Sequence, residues 1–152
     1  MKRPSAASGF VLLEALIGIL IFSLGILGIV GFQAAATKLT SESRYRTEAA
    51  LYADELIADM RVSNSATLTT DYDSNSTTDA FGAWRINRLQ AAAKGLPGGN
   101  ATLIDPATGL GNAAPIFDAT TQTYLVDLSV TWQAPGETTP GSYNTVVTID
   151  PN

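Results

Sequence analysis

The stretch FVLLEALIGILIFSLGILGIVGF, residues 10–32, carries one charged side chain, that of Glu14. An α-helix rises about 1.5 Å per residue and the hydrocarbon core of a bilayer is about 30 Å thick, so this run is long enough to cross a membrane as one helix. The carboxylate is the puzzling feature. A charged side chain at the centre of a spanning helix costs about 2.5–3.5 kcal/mol on insertion scales. Glu14 lies near one end, where the cost is smaller, yet leucine would avoid it altogether.

The residues around this run predict its orientation. Lys2 and Arg3 precede it and no acidic residue does, and a positive flank of this kind stays on the cytoplasmic side. The rest of the chain is therefore predicted to face outward. A secretory signal has a shorter apolar region of about 7–15 residues, although QAAAT at residues 33–37 has the small side chains of a cleavage site. A secreted protein is thus the alternative to a membrane-anchored one.

The helix is predicted to continue beyond the apolar run, to about residue 62. No proline occurs between Pro4 and Pro97, and after residue 32 the apolar residues recur at spacings of three and four. The recurring residues are Ala49, Tyr52, Ala53, Leu56, Ile57 and Met60. A single apolar stripe predicts that this half of the helix packs against a globular head.

The second half of the chain shows the alternation of β-strands. Apolar residues from Tyr124 to Trp132 alternate with polar ones, and SYNTVVTI at residues 142–149 repeats the pattern after the turn-rich QAPGETTPG. These two segments predict an antiparallel hairpin. ATLI at residues 101–104 predicts a shorter strand, residues 80–95 a short helix and residues 63–79 a loop. The expected fold class is therefore α+β.

Composition limits the chemistry that this chain can perform. It has no Cys and no His, so disulfides, thiolate sites and imidazole-based catalysis or metal binding are excluded. The formal charge is −5 and the basic residues are scattered, which argues against direct nucleic-acid binding. We predict a protein that is not an enzyme and needs no cofactor.

The acidic segment DYDSNSTTD, residues 71–79, has the spacing of oxygen ligands in a calcium loop. The ligands would be Asp71, Asp73, Asn75 and Asp79. Ser76 stands where the tight turn of such a loop needs glycine, however, and Gly82 stands where it needs a bidentate glutamate. A solvated loop is the favoured interpretation and a cation site the alternative.

The basic leader, Gly9, Phe10 and the Glu14 within the apolar run together resemble the type III signal of type IV prepilins and related pseudopilins. The resemblance implies cleavage between Gly9 and Phe10 by a prepilin peptidase, a membrane aspartic protease that also methylates the new amine of Phe10. It divides the chain into a leader (residues 1–9), a transmembrane and pilus-core half of the helix (10–32) and a globular head (33–152). In this family the glutamate, here Glu14, is thought to meet the first-residue amine of a neighbouring subunit.

Residues 23–61, with their Leu-Gly-Ile repeats and Asp-Glu-Leu ending, are similar to the helix of PilV-type minor pilins, and LPGGNATL and TYLVDLSVTW are similar to the head of that family. The resemblance implies a type IV pilin fold, in which a long helix of about residues 10–62 packs on a small antiparallel sheet. It implies a single-pass protein of the bacterial inner membrane with a periplasmic head. Such a protein joins other minor pilins and the major pilin in a pilus initiation or tip complex. The resemblance leaves motility and adhesion open as uses of that pilus. A minor pseudopilin of a type II secretion system and a membrane-tethered binding domain are the alternatives.

Overall fold

The structure is a computed structural model that describes residues 7–91, 95–111 and 113–151. The chain divides into two compact units, Met1–Ser41 and Glu42–Asn152. A single helix, α1 (Ala7–Val62), provides the described residues of the first unit and continues into the second.

The long N-terminal helix is confirmed, and it begins three residues before the predicted start at residue 10. It ends at Val62, as predicted, because polar side chains then engage the backbone. The amide of Ser63 donates only three residues back, to the Met60 carbonyl at 3.3 Å, and the Asn64 side-chain oxygen accepts from the amide of Ala66 at 2.9 Å. Local bonds of this kind compete with further helical hydrogen bonds.

The head contains a four-stranded antiparallel sheet formed by β1 (Asn100–Leu103), β2 (Ile116–Asp118), β3 (Thr123–Trp132) and β4 (Gly141–Ile149). Strand β3 pairs with the other three. β4 follows one edge of β3 along its length, from Tyr124↔Ile149 to Trp132↔Gly141, so β1 and β2 lie end to end along the other edge. The predicted hairpin and the short first strand are confirmed, whereas β2 was not predicted.

One hydrophobic core joins the second half of α1 to the sheet. The predicted helix stripe is buried at Ala49, Ala53, Leu56, Ile57 and Met60, and Tyr45 extends it by one turn. From the sheet, the even-numbered side chains from Val126 to Trp132 point into the same core. Full burial of each large aliphatic side chain is worth about 1.5–3 kcal/mol. The structure is thus an α+β fold with a long N-terminal helix and a small antiparallel sheet.

The segment between α1 and the sheet departs from the prediction. A short helix, α2 (Leu68–Asp71), interrupts the predicted loop of residues 63–79, because Leu68 and the following Tyr72 are buried in the core. The helix predicted for residues 80–95 is shorter: α3 (Ala80–Trp84) is followed by a π-helical turn, Arg85–Leu89. Part of the remaining predicted segment, residues 92–94, lies outside the described residues.

The LPGG sequence, residues 96–99, turns the chain into β1. Gly98 has a φ of +57°, a conformation that glycine adopts at no steric cost, and the amide of Gly99 donates to the Leu96 carbonyl at 2.9 Å. The Pro97 carbonyl accepts from the amide of Gln133 at 2.8 Å and ties this turn to the end of β3.

Candidate functional site

The N-terminal motif consists of Gly9, Phe10 and Glu14, and all three residues lie on the first turns of α1. Phe10 and Glu14 are four positions apart, which places them on one face of the helix and about 6 Å apart along its axis. Both side chains are exposed, and a Cβ built on Gly9 would meet no atom within 4 Å. The motif is therefore open to any partner that approaches this end of the helix.

The helix around the motif is apolar on every side. Its large apolar residues between 10 and 32 expose from 46% to 73% of their surface. A helix that is hydrophobic all round is stable only in a bilayer or against other apolar surfaces. The described part of the chain has one helix, near the N-terminus, that is long and apolar enough to span a membrane.

The glycines and the serine of this segment have no contact with the rest of the chain that requires their residue type. A Cβ built on Gly18, Gly25, Gly28 or Gly31 would meet nothing within 4 Å, so the described neighbours do not require glycine there. The Ser23 hydroxyl donates to the carbonyl of Ile19 at 2.7 Å, which satisfies that polar group inside the helix. Glu14 is the position in the run where a full charge must be accommodated.

The acidic loop of the head uses its carboxylates to organise the backbone. Asp79 caps α3, since its Oδ1 accepts from the amide of Gly82 at 2.7 Å and its Oδ2 accepts from the amide of Asp73 at 3.1 Å. Asp73 in turn accepts from the amide of Asn75 at 2.9 Å, and Asp71 accepts from the hydroxyl of Thr67 at 2.6 Å. Within residues 7–91, 95–111 and 113–151, no group of three or more Asp, Glu, His or Cys side chains is placed to hold a metal ion.

Two residues that give this loop its shape were not identified from the sequence. Gly82 was noted only as a mismatch to a calcium loop, but a Cβ there would lie 2.5 Å from the backbone of Thr77. The Arg85 guanidinium donates to the carbonyls of Ser74 and Ser76 at 3.1 and 3.2 Å. The glycine allows the loop to approach α3, and the arginine holds it there.

Two further polar contacts join elements of the head. Arg88 makes a bidentate pair with Glu55 of α1, with Nε···Oε1 at 2.6 Å and Nη2···Oε2 at 2.8 Å, and this carboxylate raises the pKa of the guanidinium. The Tyr72 hydroxyl lies 2.8 Å from the hydroxyl of Ser63, and burial raises the pKa of this phenol. These contacts fix the packing of the segment that follows α1.

Both tryptophans, Trp84 and Trp132, lie in the core. Trp132 packs across the strand pair onto Gly141, and Trp84 contacts the ring of Phe81 with centroids 6.0 Å apart. The indole Nε1 of Trp84 is buried and has no hydrogen-bond partner among the described residues.

The fold and the exposed motif define a class of protein, an α+β head on an N-terminal helix that is apolar enough to span a membrane. No protein family, curated protein or solved structure gave a match to this chain. Its proposed function therefore rests on its own residues and their geometry.

Proposed function

We propose that this chain is a minor pilin of the PilV type, held in the bacterial inner membrane as a prepilin and incorporated into the initiation or tip complex of a type IV pilus. A prepilin peptidase cleaves between Gly9 and Phe10, and the amine of Phe10 is methylated. The head then faces the periplasm and reaches the cell surface with the pilus. Its partners are other minor pilins and the major pilin.

The observation that carries this proposal is the placement of Gly9, Phe10 and Glu14. These residues have the spacing of the prepilin signal and lie at the start of an apolar helix whose side chains are exposed. The same helix continues into the core of the head. A simple anchor needs only the apolar surface. It needs neither a carboxylate inside that surface nor a helix whose other half is built into the head.

The Glu14 carboxylate has a role if α1 packs against the same helix of neighbouring subunits. Cleavage leaves a positive amine at Phe10, and an opposite charge within reach makes a carboxylate tolerable in a low-dielectric environment. A charge pair in an otherwise apolar interface also penalises sliding, as one buried Asn fixes the register of a coiled coil. Glu14 would thus set the axial position of one subunit against the next.

The cleavage site can be tested with a matched pair of glycine variants. Gly9 and Gly18 lie in the same helix, and a side chain built on either meets no atom within 4 Å, so neither Gly9→Val nor Gly18→Val should disturb the described fold. A valine beside the cleaved bond would clash with a protease pocket shaped for glycine. We expect mass spectrometry to find N-methylated Phe10 as the first residue of the parent and of Gly18→Val, with Gly9→Val left full length.

Two results of this experiment would contradict the proposal. A mature chain that starts near residue 37 would identify a secretory signal, and a parent protein that keeps its leader in a strain with an active prepilin peptidase would identify a plain anchor. Secretion pseudopilins share the cleavage, so co-purification of the processed chain with pilus or with secretion components decides between those two machines.

The role of Glu14 requires a different readout. Glu14→Gln retains the shape and removes the charge, which leaves the partner amine in an apolar interface without its counter-ion. We expect this variant to insert and to be cleaved, yet to be depleted from sheared pili. Ser23→Ala is the control, because the Ser23 hydroxyl bonds within its own helix. Normal incorporation of Glu14→Gln would refute the pairing.

A further inference from the structure

The bond proposed for cleavage lies inside α1. The helix begins at Ala7, so Gly9 and Phe10 both belong to its first turn. In an α-helix each carbonyl accepts a hydrogen bond from the amide four residues further along the chain. The carbonyl of Gly9, which belongs to the Gly9–Phe10 peptide bond, is therefore paired with the amide of Leu13. The inference drawn from this pairing rests on the proposed function, because it concerns the same cleavage site.

A helical peptide bond is a poor substrate for an aspartic protease. In such an enzyme one carboxylate takes a proton from the attacking water, and a protonated carboxyl group supports the charge that develops on the carbonyl oxygen. The water oxygen bonds to the carbonyl carbon of Gly9, the C–N bond breaks, and the nitrogen of Phe10 takes up the proton. The products are the carboxyl group of Gly9 and the amine of Phe10.

The helix withholds the oxygen atom on which this reaction depends. Helical carbonyls point along the helix axis toward the next turn, and the Gly9 oxygen is there bonded to the Leu13 amide. The carboxyl group of an enzyme can bond this oxygen in its place only after the turn opens. Apart from the helix itself, a Cβ built on Gly9 would meet no atom within 4 Å, and both Gly9 and Phe10 are exposed. The helical conformation is thus what protects the bond.

Two features of the sequence keep the free energy of opening small. The bond lies in the first turn, where the leading amides have no intrahelical partner, so few hydrogen bonds are released when the helix opens as far as Phe10. Glycine loses more conformational freedom in a helix than any other residue, so Gly9 favours the open form relative to alanine. Gly9 therefore weakens the helix at the bond that is cut.

We propose that the first turn of α1 unwinds before the peptidase cuts, and that the backbone amide of Leu13 controls access to the Gly9 carbonyl. The helical chain is the protected form, and the chain opened to about Phe10 is the substrate. The rate of cleavage is then proportional to the population of the open form. Leu13 is a positioning residue that acts through its backbone and not through its side chain.

An ester in place of the Leu13 amide tests this proposal without changing a side chain. Cell-free translation with a suppressor tRNA that carries the α-hydroxy acid analogue of leucine places the ester in the full-length chain. The ester has no N–H, so the bond to the Gly9 carbonyl cannot form. Loss of one intramolecular hydrogen bond changes an equilibrium constant by about 2- to 12-fold, so the kcat/KM of purified prepilin peptidase for the vesicle-inserted chain should rise by this factor.

Two controls isolate the Leu13 amide. An ester at Ile17, made with the analogue of isoleucine, removes the bond to the Leu13 carbonyl one turn further along the same apolar helix. It leaves the bonds of the first turn in place, so kcat/KM should stay close to that of the parent. Leu13→Ala changes a side chain that is 54% exposed and retains the amide, so it should not accelerate cleavage.

The outcomes separate this inference from the proposed function. A parent chain that is not cut after Gly9 would contradict both. Cleavage of the parent and of the Leu13 ester at equal rates would refute the unwinding step alone and leave the chain a prepilin. Equal acceleration by the two esters would indicate general loosening of the helix and refute the role of the Leu13 amide. Slower cleavage of the Leu13 ester would show that the peptidase recognises the helical form, which also overturns the inference.

Discussion

The packing of α1 on the sheet predicts a sharp difference between two leucines of the same helix. Leu56 is completely buried in the core, whereas Leu51, five residues earlier, is 63% exposed. Leu56→Ala and Leu51→Ala are the same chemical change at positions of similar helix propensity. A difference between them therefore measures burial against the sheet.

The expected magnitude follows from the burial. A buried Leu→Ala change costs about 2–5 kcal/mol, which includes the cavity it leaves, and an exposed one changes stability by about 0.5 kcal/mol or less. For a head of about 110 residues the entropy of unfolding converts 1 kcal/mol into about 4 °C, so Leu56→Ala should lower Tm by about 8–20 °C. Leu51→Ala should stay within about 2 °C of the parent.

Tryptophan fluorescence is a suitable assay because the two tryptophans of the chain, Trp84 and Trp132, are both buried in the head. Thermal unfolding of the full-length protein in detergent, followed by the red shift of their emission, reports the head and not the apolar half of α1. Equal Tm values for the two variants would show that the helix does not dock on the sheet as described.

Three further predictions concern the segment between α1 and the sheet. Gly82→Ala should destabilise the head by about 1–3 kcal/mol in denaturant titrations, because its Cβ would lie 2.5 Å from the Thr77 backbone. Asp79→Ala should cost about 0.5–2 kcal/mol in the same assay, since it removes the cap of α3. Burial raises the pKa of the Tyr72 phenol, so the neutral phenol stabilises the folded head fully below about pH 10, and this stabilisation is lost as the pH rises through the folded-state pKa. Tyr72→Phe should therefore lose less stability at alkaline pH than the parent. The same dependence of stability on pH in both proteins would contradict this prediction.

The elements that the sequence predicted are those with a repeated physical signal. The 3.6-residue period that ends at Met60 and the two-residue period of β3 and β4 each follow from burial of one face over many residues. Strand β2 has no such signal, because its three residues are all exposed and its identity depends on pairing with Leu125 and its neighbours. A strand held by its partner alone leaves no pattern in its own sequence.

The loop before α3 shows a second reason why part of the structure could not be predicted from the sequence. Asp79, directly before the first helical residue Ala80, is a helix-start signal that could have been recognised, and the structure shows the cap. The need for glycine at position 82 could not have been inferred, because it arises from the backbone of Thr77, which only the folded loop brings close. Contacts of this type become visible only when the tertiary structure is known.

The two events proposed for the N-terminus, cleavage after Gly9 and pairing of Glu14 with an amine, depend on each other, and this dependence gives a final prediction. In the described chain α1 begins at Ala7, so the amides without helical partners belong to the turn before Phe10. Cleavage after Gly9 would move the helix start to Phe10. The free amides and the new amine would then lie one turn from Glu14, where a carboxylate is stabilised by the positive end of a helix as well as by a neighbour's amine. Before cleavage, Glu14 has neither.

The effect of Glu14→Gln should therefore depend on processing. In a chain that is cleaved, the substitution should reduce recovery of the protein with its partners, whereas in the uncleaved Gly9→Val background it should change recovery little further. Such non-additivity is expected of two residues that act through one charge pair, and it is measured by comparing the two single variants with the double variant in the same co-purification assay. Independent residues would instead give effects that multiply. That result would show that the carboxylate acts without the amine, and would leave Glu14 as a side chain that reaches the polar surface of the membrane.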